Sequence, residues 1–434
     1  MNNKIKEIES FVKKILEEKD VKKNYIPGET LIPPSGKLIG YEETKNMVLA
    51  SFDGWLTTGR FNSEFQTKLS NFLNVKHLMT VNSGSSANLL AFSSLTSHLH
   101  KDRAVKPGDE VISVAAGFPT TVNPIFQNGA VPVFVDIKLP TYNINEELIE
   151  EAITDKTKAI MLAHTLGNPF NINKVLEICK KNNLWLIEDN CDALGSKYNN
   201  QYTGTFGDVA TLSFYPAHHI TMGEGGAIFT NNSRIKRVAE SFRDWGRDCY
   251  CEPGVENTCK KRFEWQLGKL PFGYDHKYIY SHIGFNMKIT DMQAACGLGQ
   301  LENLENFIKK RKANVDFLKK LLIDLQDEIL LPEAELNSDP SWFGFPITLK
   351  KKSKFKRIDI LKKLTENKIG TRLLFGGNLT KQPAYISKNF RVQGNLDVTD
   401  LIMSNTFWVG IQPAIGEVEL SYIAKVLKDF FKKK

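Results

Sequence analysis

The sequence predicts an α/β fold, with a mainly parallel sheet in a large domain and a smaller α+β domain at the C-terminus. Three observations carry this. Short apolar, β-rich runs alternate with helix-periodic segments from about residue 45 to residue 190. A turn of small residues, NSGSSAN (82–88), joins one such run to a helix. Past the long helical segment TDMQAACGLGQLENLENFIKKRKANVDFLKKLLIDL (290–325), the alternation gives way to another pattern. A chain of 434 residues is too long for one small core and suits this division.

Taken in order, MNNKIKEIESFVKKILEEKD is a charged amphipathic helix without the apolar region of a targeting signal. NYIPGETLIPPSGKLIG (24–40), rich in proline and glycine, is an extended arm, so residues 1–44 precede a large domain over 45–300. Within it VKHLMTV (75–81), DEVISVA (109–115), VPVFVDI (131–137), AIMLA (159–163) and LWLIED (184–189) are buried strands, the last two flanking the helix NINKVLEICKKNN. The long helical segment bridges to the smaller domain, 301–434. No apolar run approaches the roughly 20 residues that span a bilayer, so a cytoplasmic protein is expected. The formal charge is +8, with lysine clusters at 349–357 and in the terminal FKKK. Such clusters usually lie on a solvated face, and no nucleic-acid motif accompanies them.

Four features at strand ends carry chemistry. NSGSSAN leaves backbone N–H groups free at the positive end of a helix, a cradle for phosphate that many αβ turns share. LWLIEDNCDALGS (184–196) ends a strand on carboxylates, where open α/β folds bind ligands, although a helix N-cap would look similar. SFYP offers the hydroxyl of Ser213 at a further strand end, and AAGFPTTVNP (115–124) offers Phe118. Together these are the parts a pyridoxal-type cofactor needs: donors for its phosphate, an aromatic cover, and a carboxylate holding the pyridine nitrogen protonated.

On these residues, and on WLTTGRFNSEF (55–65), VPVFVDIKLPTYNINEELIEEAIT (131–154), GTFGDVATLSFYPAHHITMGEGGAIFT (204–230) and GFNMKITDMQAA (284–295), the chain resembles the DegT/DnrJ/EryC1/StrS sugar aminotransferases. The blocks occur in family order over most of the chain. The resemblance implies the type I PLP-dependent aminotransferase fold. It assigns Gly84, Ser85, Ser86 and Ser213 to the cofactor phosphate, Phe118 to the pyridine face and Asp189 to the pyridine nitrogen. Asn286 would reach the phosphate in the neighbouring subunit of a homodimer. In the small domain Arg372, within GTRLLFGGN (370–378), is a candidate for the nucleotide.

One departure matters most. The family motif S-F-x-x-x-K places the cofactor-linking lysine at the sixth position, and here that position is His218. An imidazole cannot hold the cofactor covalently, so pyridoxamine 5'-phosphate (PMP) bound non-covalently is expected. Histidine, with a reference pKa near 6.5, is suited to moving protons at neutral pH. The adjacent His219 has no assigned role.

Six cysteines occur, three of them within RDCYCEPGVENTC (247–259). In a cytosolic protein such a cluster indicates zinc or iron–sulfur ligation rather than disulfides. Cys249 and Cys251 would face opposite ways in a strand, so both can bind one centre only from a turn or loop. Cys191, two residues after Asp189, would leave an extended chain on the same side as that carboxylate. Cys179 and Cys296 fall in helical patterns and read as packing residues. The spacing C-x57-C-x-C-x7-C, the insert 247–283 and His218 together resemble one branch of the family, the iron–sulfur 3-dehydrases of CDP-4-keto-6-deoxyhexoses. That resemblance implies a [2Fe-2S] cluster on Cys191, Cys249, Cys251 and Cys259. It implies C3 dehydration by PMP with His218 and Asp189 as catalytic residues, in 3,6-dideoxyhexose and lipopolysaccharide O-antigen biosynthesis. It also implies a separate NAD(P)H-dependent flavin reductase as electron donor, since the chain has no dinucleotide fingerprint. The alternatives are a cluster-free 3-dehydratase that releases ammonia and a non-catalytic regulatory protein on the same fold.

Overall fold

The computed structural model describes residues 2–19 and 25–432; Met1, the join between helix and arm, and the last two lysines of FKKK lie outside them. The five predicted runs all form strands: β1 (His77–Val81), β2 (Glu110–Ser113), β3 (Val131–Phe134), β4 (Thr157–Ala163) and β5 (Trp185–Asp189). Two more, β6 (Val209–Ser213) and β7 (Gly226–Thr230), complete the run. They assemble in the order β1-β7-β6-β5-β4-β2-β3, with Arg391–Val392 added beside β3. Only β7 opposes its neighbours; the remaining pairs are parallel. The fold is therefore the predicted α/β type with a mainly parallel sheet.

The strands read as continuous apolar runs because both faces of the sheet are covered. Ile112, Ile160 and Leu186 point to one face, where Val175 and Ile178 of the helix Ile172–Lys181 meet them. Their neighbours Val111, Ala159, Met161 and Ile187 point to the other, against Leu90 and Phe92. Four helices pack about this sheet early in the chain, α2 (Tyr41–Asp53), α3 (Arg60–Leu73), α4 (Gly84–Leu95) and α5 (Pro119–Gln127), while α1 (Asn2–Lys19) packs on α2.

The segment 290–325 corrects the expectation of one long helix. It is two helices, Asp291–Leu301 and Leu304–Leu322, followed by a 3-10 turn. The first packs on α2 and α3, the second on the C-terminal helix Glu417–Lys432. Different partners require different axes, and the chain bends between them although no proline or glycine marks the junction. A second, antiparallel sheet takes Ile329–Leu330, Phe345–Leu349, Thr406–Val409 and Thr371–Leu373 in that spatial order. Its core joins Phe345, Ile347 and Phe407 to Leu318, Leu420 and Ile423 of the two covering helices. The N-terminal arm reaches this region, where Ile32 bridges Ile369.

The cysteine-bearing insert is irregular apart from one 3-10 turn at His276–Tyr278. Its ends are pinned together by the bridges Asp244–Asn286 and Arg247–Tyr280. Gly246 has φ +85°, and a side chain there would run into the His282 carbonyl. Arg262 forks onto Asp275 at 2.9 and 2.7 Å, closing the middle of the loop. Among the described residues no helix is long and apolar enough to cross a membrane.

Candidate active site

The C-terminal ends of β4, β5 and β6 open onto a cavity of about 1360 Å³. Gly84, Ser85, Phe118, Asp189, Cys191, Ser213, His218 and Arg372 all line it, together with Ser83, Asn88, Thr121 and Asp192. This is the place where an open α/β sheet offers its strand ends to a ligand.

One wall is the start of α4. Ser83 is extended and accepts the N–H of Ser86 at 3.0 Å, so it is the N-cap. Its own hydroxyl donates to Ser86 Oγ at 3.0 Å. Ser83 stands on the cavity wall beside Gly84 and Ser85, while Ser86 does not line it. Gly84 must be small, because a Cβ would overlap the side chain of Ser213. With glycine, the unpaired N–H groups of the first turn and the Ser213 hydroxyl face one space, a cup suited to a phosphate.

Asp189 ends β5 and is 5% exposed. Its Oδ2 accepts from Asn88 Nδ2 at 2.8 Å and Thr121 Oγ1 at 2.6 Å, and its Oδ1 from the Cys191 N–H at 3.2 Å. Thr211 Oγ1 donates to Asn88 Oδ1 at 2.7 Å, which sets the amide so that its N–H₂ meets the carboxylate. The N-cap alternative for Asp189 is not what the structure shows; the carboxylate is held by side chains from α4 and α5. Sequence reasoning overlooked Asn88 and Thr121. A signal existed, since each lies within one helical turn of a singled-out residue, Gly84 and Phe118. Phe118, the residue before α5, is 51% exposed at the rim and meets Phe375 edge-on with centroids 6.2 Å apart.

The two histidines separate. His218 faces the cavity, its Nδ1 3.3 Å from Asp192 Oδ1 and its ring 5.2 Å from that of Phe343. Burial pushes the Asp192 carboxyl up, against the opposing pull of His218. Behind them Arg311 is fully buried, bonds the carbonyls of Trp342 and Phe343, and is pulled down to about 10 by desolvation. His219 turns away, donating from Nε2 to the Ser341 carbonyl at 2.8 Å. Burial holds its pKa well below the ordinary value, with the Arg311 charge adding to the effect.

A consequence for stability follows from His219. Above pH 6.5 the ring is neutral both folded and unfolded. Below it the unfolded ring gains a proton that the folded one refuses, so acid favours unfolding. One such group changes the unfolding free energy by about 1.4 kcal/mol per pH unit. His282, lowered to about 4 by desolvation and by the charge of His98, acts in the same direction. Urea unfolding midpoints at pH 7.5 and 5.5 are expected to fall with acid, and His219→Gln is expected to flatten the difference.

The remaining predicted residues lie elsewhere. Asn286 is exposed and does not line this cavity. Cys191 does, beside Asp189 as its spacing predicts, with Sγ 3.8 Å from Thr211 Oγ1. Its thiol is pushed well above the ordinary range by burial and by the Asp189 carboxylate. Cys249, Cys251 and Cys259 line a separate small cavity with His276. There His276 Nδ1 is 3.7 Å from Cys259 Sγ, and Nε2 is 2.6 Å from Asp248 Oδ2. The four-cysteine set is therefore not assembled within one chain. Among the described residues no group of three or more His, Cys, Asp or Glu side chains is placed to hold a metal ion.

The sequence matches the family model of the DegT/DnrJ/EryC1/StrS aminotransferases over residues 38–428. It is 59% identical over 430 residues to the lipopolysaccharide biosynthesis protein RfbH of Salmonella typhimurium, covering 99% of this chain and 98% of that one. It is 48% identical over 409 residues to the dTDP-4-dehydro-2,6-dideoxy-D-glucose 3-dehydratase of Saccharopolyspora spinosa, covering 94% and 88%. Among solved structures, E. coli GDP-4-keto-6-deoxy-D-mannose-3-dehydratase with bound hydrated PLP superimposes with a TM-score of 0.81. It shares 29% identity with this chain and covers 91% of it and 99% of its own.

Proposed function

This chain belongs to the DegT/DnrJ/EryC1/StrS aminotransferase family, and from that premise we propose that it is a nucleotide-sugar 3-dehydrase rather than an aminotransferase. The substrate would be a nucleotide-linked 4-keto-6-deoxyhexose, with CDP as the nucleotide on the strength of the sequence resemblance. The observation that carries the reading is His218, which faces Asp192 and the cavity at the position where family aminotransferases keep lysine. Relatives named as sugar 3-dehydratases, and one named for lipopolysaccharide biosynthesis, support it.

The residues fit pyridoxamine phosphate. The cup made by α4 and Ser213 suits the phosphate, the fixed carboxylate of Asp189 suits the pyridine nitrogen, and Phe118 stands at the rim for the ring. When bound, this cofactor supplies an amine for the C4 ketone and a ring that accepts electrons. Asp189, with Asn88 and Thr121 holding it, keeps the ring nitrogen protonated. With Asp192 Oδ1 3.3 Å from its Nδ1, the His218 ring would take a proton and return it to the departing C3 hydroxyl. Arg372 and Lys388, both on the cavity wall, suit the anionic nucleotide. A [2Fe-2S] cluster on Cys191, Cys249, Cys251 and Cys259, an NAD(P)H-dependent reductase as its donor and a homodimer complete the proposal.

The test is anaerobic purification followed by a visible spectrum, iron, sulfide and zinc analysis, and incubation with PMP and CDP-4-keto-6-deoxyglucose. Iron and sulfide in equal amounts are expected, with reductase-dependent formation of the 3,6-dideoxy sugar. A colourless zinc protein would sink the reductive part. Stoichiometric ammonia without iron would establish the cluster-free dehydratase instead, and transfer of the amino group to the sugar would overturn the whole reading.

A further inference from the structure

The helix Leu304–Leu322 belongs to two apolar cores at once. Leu304, Phe307 and Ile308 join the cluster of Leu212, Phe214 and Ile220, beside the two histidines. Val315, Leu318 and Leu322 join the core of the second sheet. Between these sets stands Arg311, 1% exposed. A buried guanidinium is unfavourable unless its donors are met, and an apolar side chain of similar length would fill the junction without that penalty. Even lowered to about 10, the group is charged at neutral pH. Among the described residues no carboxylate forms an ion pair with it, and Asp192 acts on it only through its charge.

The donors of Arg311 go instead to backbone carbonyls of two separate segments. Nη1 donates to Trp342 at 3.2 Å and to Phe343 at 3.1 Å, and Nη2 reaches the His218 carbonyl at 3.5 Å. His219 adds the next bond in the row, to the Ser341 carbonyl at 2.8 Å, so residues 218–219 and 341–343 are joined side to side. Each segment presents a ring to the main cavity: His218 and Phe343 line it with centroids 5.2 Å apart. Phe343 also meets Trp408 edge-on at 5.5 Å, and a Cβ on the following Gly344 would run into that indole. Trp408 therefore fixes this turn from one side and the guanidinium from the other.

We propose that Arg311 is a positioning residue for His218. One planar group with its donors in a fixed fork holds the His218 and Phe343 carbonyls at a set separation. It thereby sets where the imidazole stands relative to Asp192 and to the Phe343 ring. Arg311 does not itself line the main cavity, so it acts through His218 and touches neither cofactor nor substrate. The proposal rests on the proton-transfer role of His218 given above and adds what holds that ring in place.

Arg311→Lys keeps the charge without the fork, and Arg311→Met keeps only the bulk. Both are compared with wild type in single-turnover kinetics with PMP and CDP-4-keto-6-deoxyglucose, beside equilibrium dialysis of PMP. A misplacement of about 1 Å can cost about 10²-fold, so the rate should fall by about 10- to 100-fold in Arg311→Met and by less in Arg311→Lys. PMP affinity and KM for the sugar should stay at the wild-type values. An unchanged rate in both variants overturns the inference. So does a fall in rate matched by a fall in PMP affinity, the mark of a merely structural residue. If Arg311→Met does not fold, Arg311→Lys is read by the same criteria. A second readout needs no sugar. His218→Lys is expected to bind pyridoxal phosphate covalently, and adding Arg311→Lys should slow the absorbance change that follows this binding. An unchanged rate of binding overturns the inference, and no covalent binding in His218→Lys itself overturns both the inference and the role of His218. A wild-type chain that binds PMP but does not act on the sugar overturns the functional reading, and the pyridoxal phosphate measurement then decides on Arg311 alone.

Discussion

Replacing His218 by asparagine is expected to lower turnover by about 10²–10⁴-fold, the usual contribution of a positioned acid or base. The ring stands at the cavity wall with its side chain 15% exposed, and asparagine keeps a polar group there without a titrating nitrogen. PMP should still bind, because neither the phosphate cup nor Asp189 depends on this residue. Thermal unfolding should shift little. Single-turnover kinetics with the nucleotide sugar separate the loss of proton transfer from any loss of binding. His218→Lys is the informative counterpart, expected to bind pyridoxal phosphate covalently with the absorbance change that accompanies it. Unchanged turnover in His218→Asn, or no covalent binding in His218→Lys, would remove His218 from its proposed position.

Asp189→Asn is expected to act on the cofactor first. Asn88 and Thr121 both donate to Oδ2. An amide in that position must either turn an N–H₂ against those donors or lose its acceptor towards the cavity. A hydrogen bond to a charged partner contributes about 1.5–3 kcal/mol, so PMP affinity should fall by about 10- to 150-fold. Turnover at saturating PMP should fall as well, since the ring nitrogen loses the carboxylate that keeps it protonated. Equilibrium dialysis and saturating kinetics read the two effects separately. Thr121→Val, which removes one donor but leaves the charge, should show a smaller change of the same kind. A fully active Asp189→Asn enzyme would place the cofactor elsewhere.

Much of this site was legible along the chain because its parts are local. The strand ends at Asp189 and Ser213 follow from apolar runs that stop at polar residues. The cup at Gly84 follows from small residues between strand and helix. Reading failed where a role depends on what a neighbouring element does. Ser83 is not singled out by the sequence, yet its hydroxyl caps α4 and it stands on the cavity wall. Asn88 and Thr121 are ordinary polar residues until β5 is laid between α4 and α5. The break at Glu302–Asn303 has no punctuating residue, because the cause is the direction of two packing partners. The pair of histidines divides for the same reason: His219 meets the Ser341 carbonyl, 122 residues away, while its neighbour meets Asp192.

The sequence by itself determined the mainly parallel sheet and the small and acidic residues at its strand ends, since periodicity and turn composition are short-range properties. Only the tertiary structure decided which donors hold Asp189, which histidine faces the cavity and where the cysteines stand. Spacing along a chain counts residues, whereas ligation and hydrogen bonding depend on distances that folding sets, and here Cys191 lines the main cavity while Cys249, Cys251 and Cys259 line another.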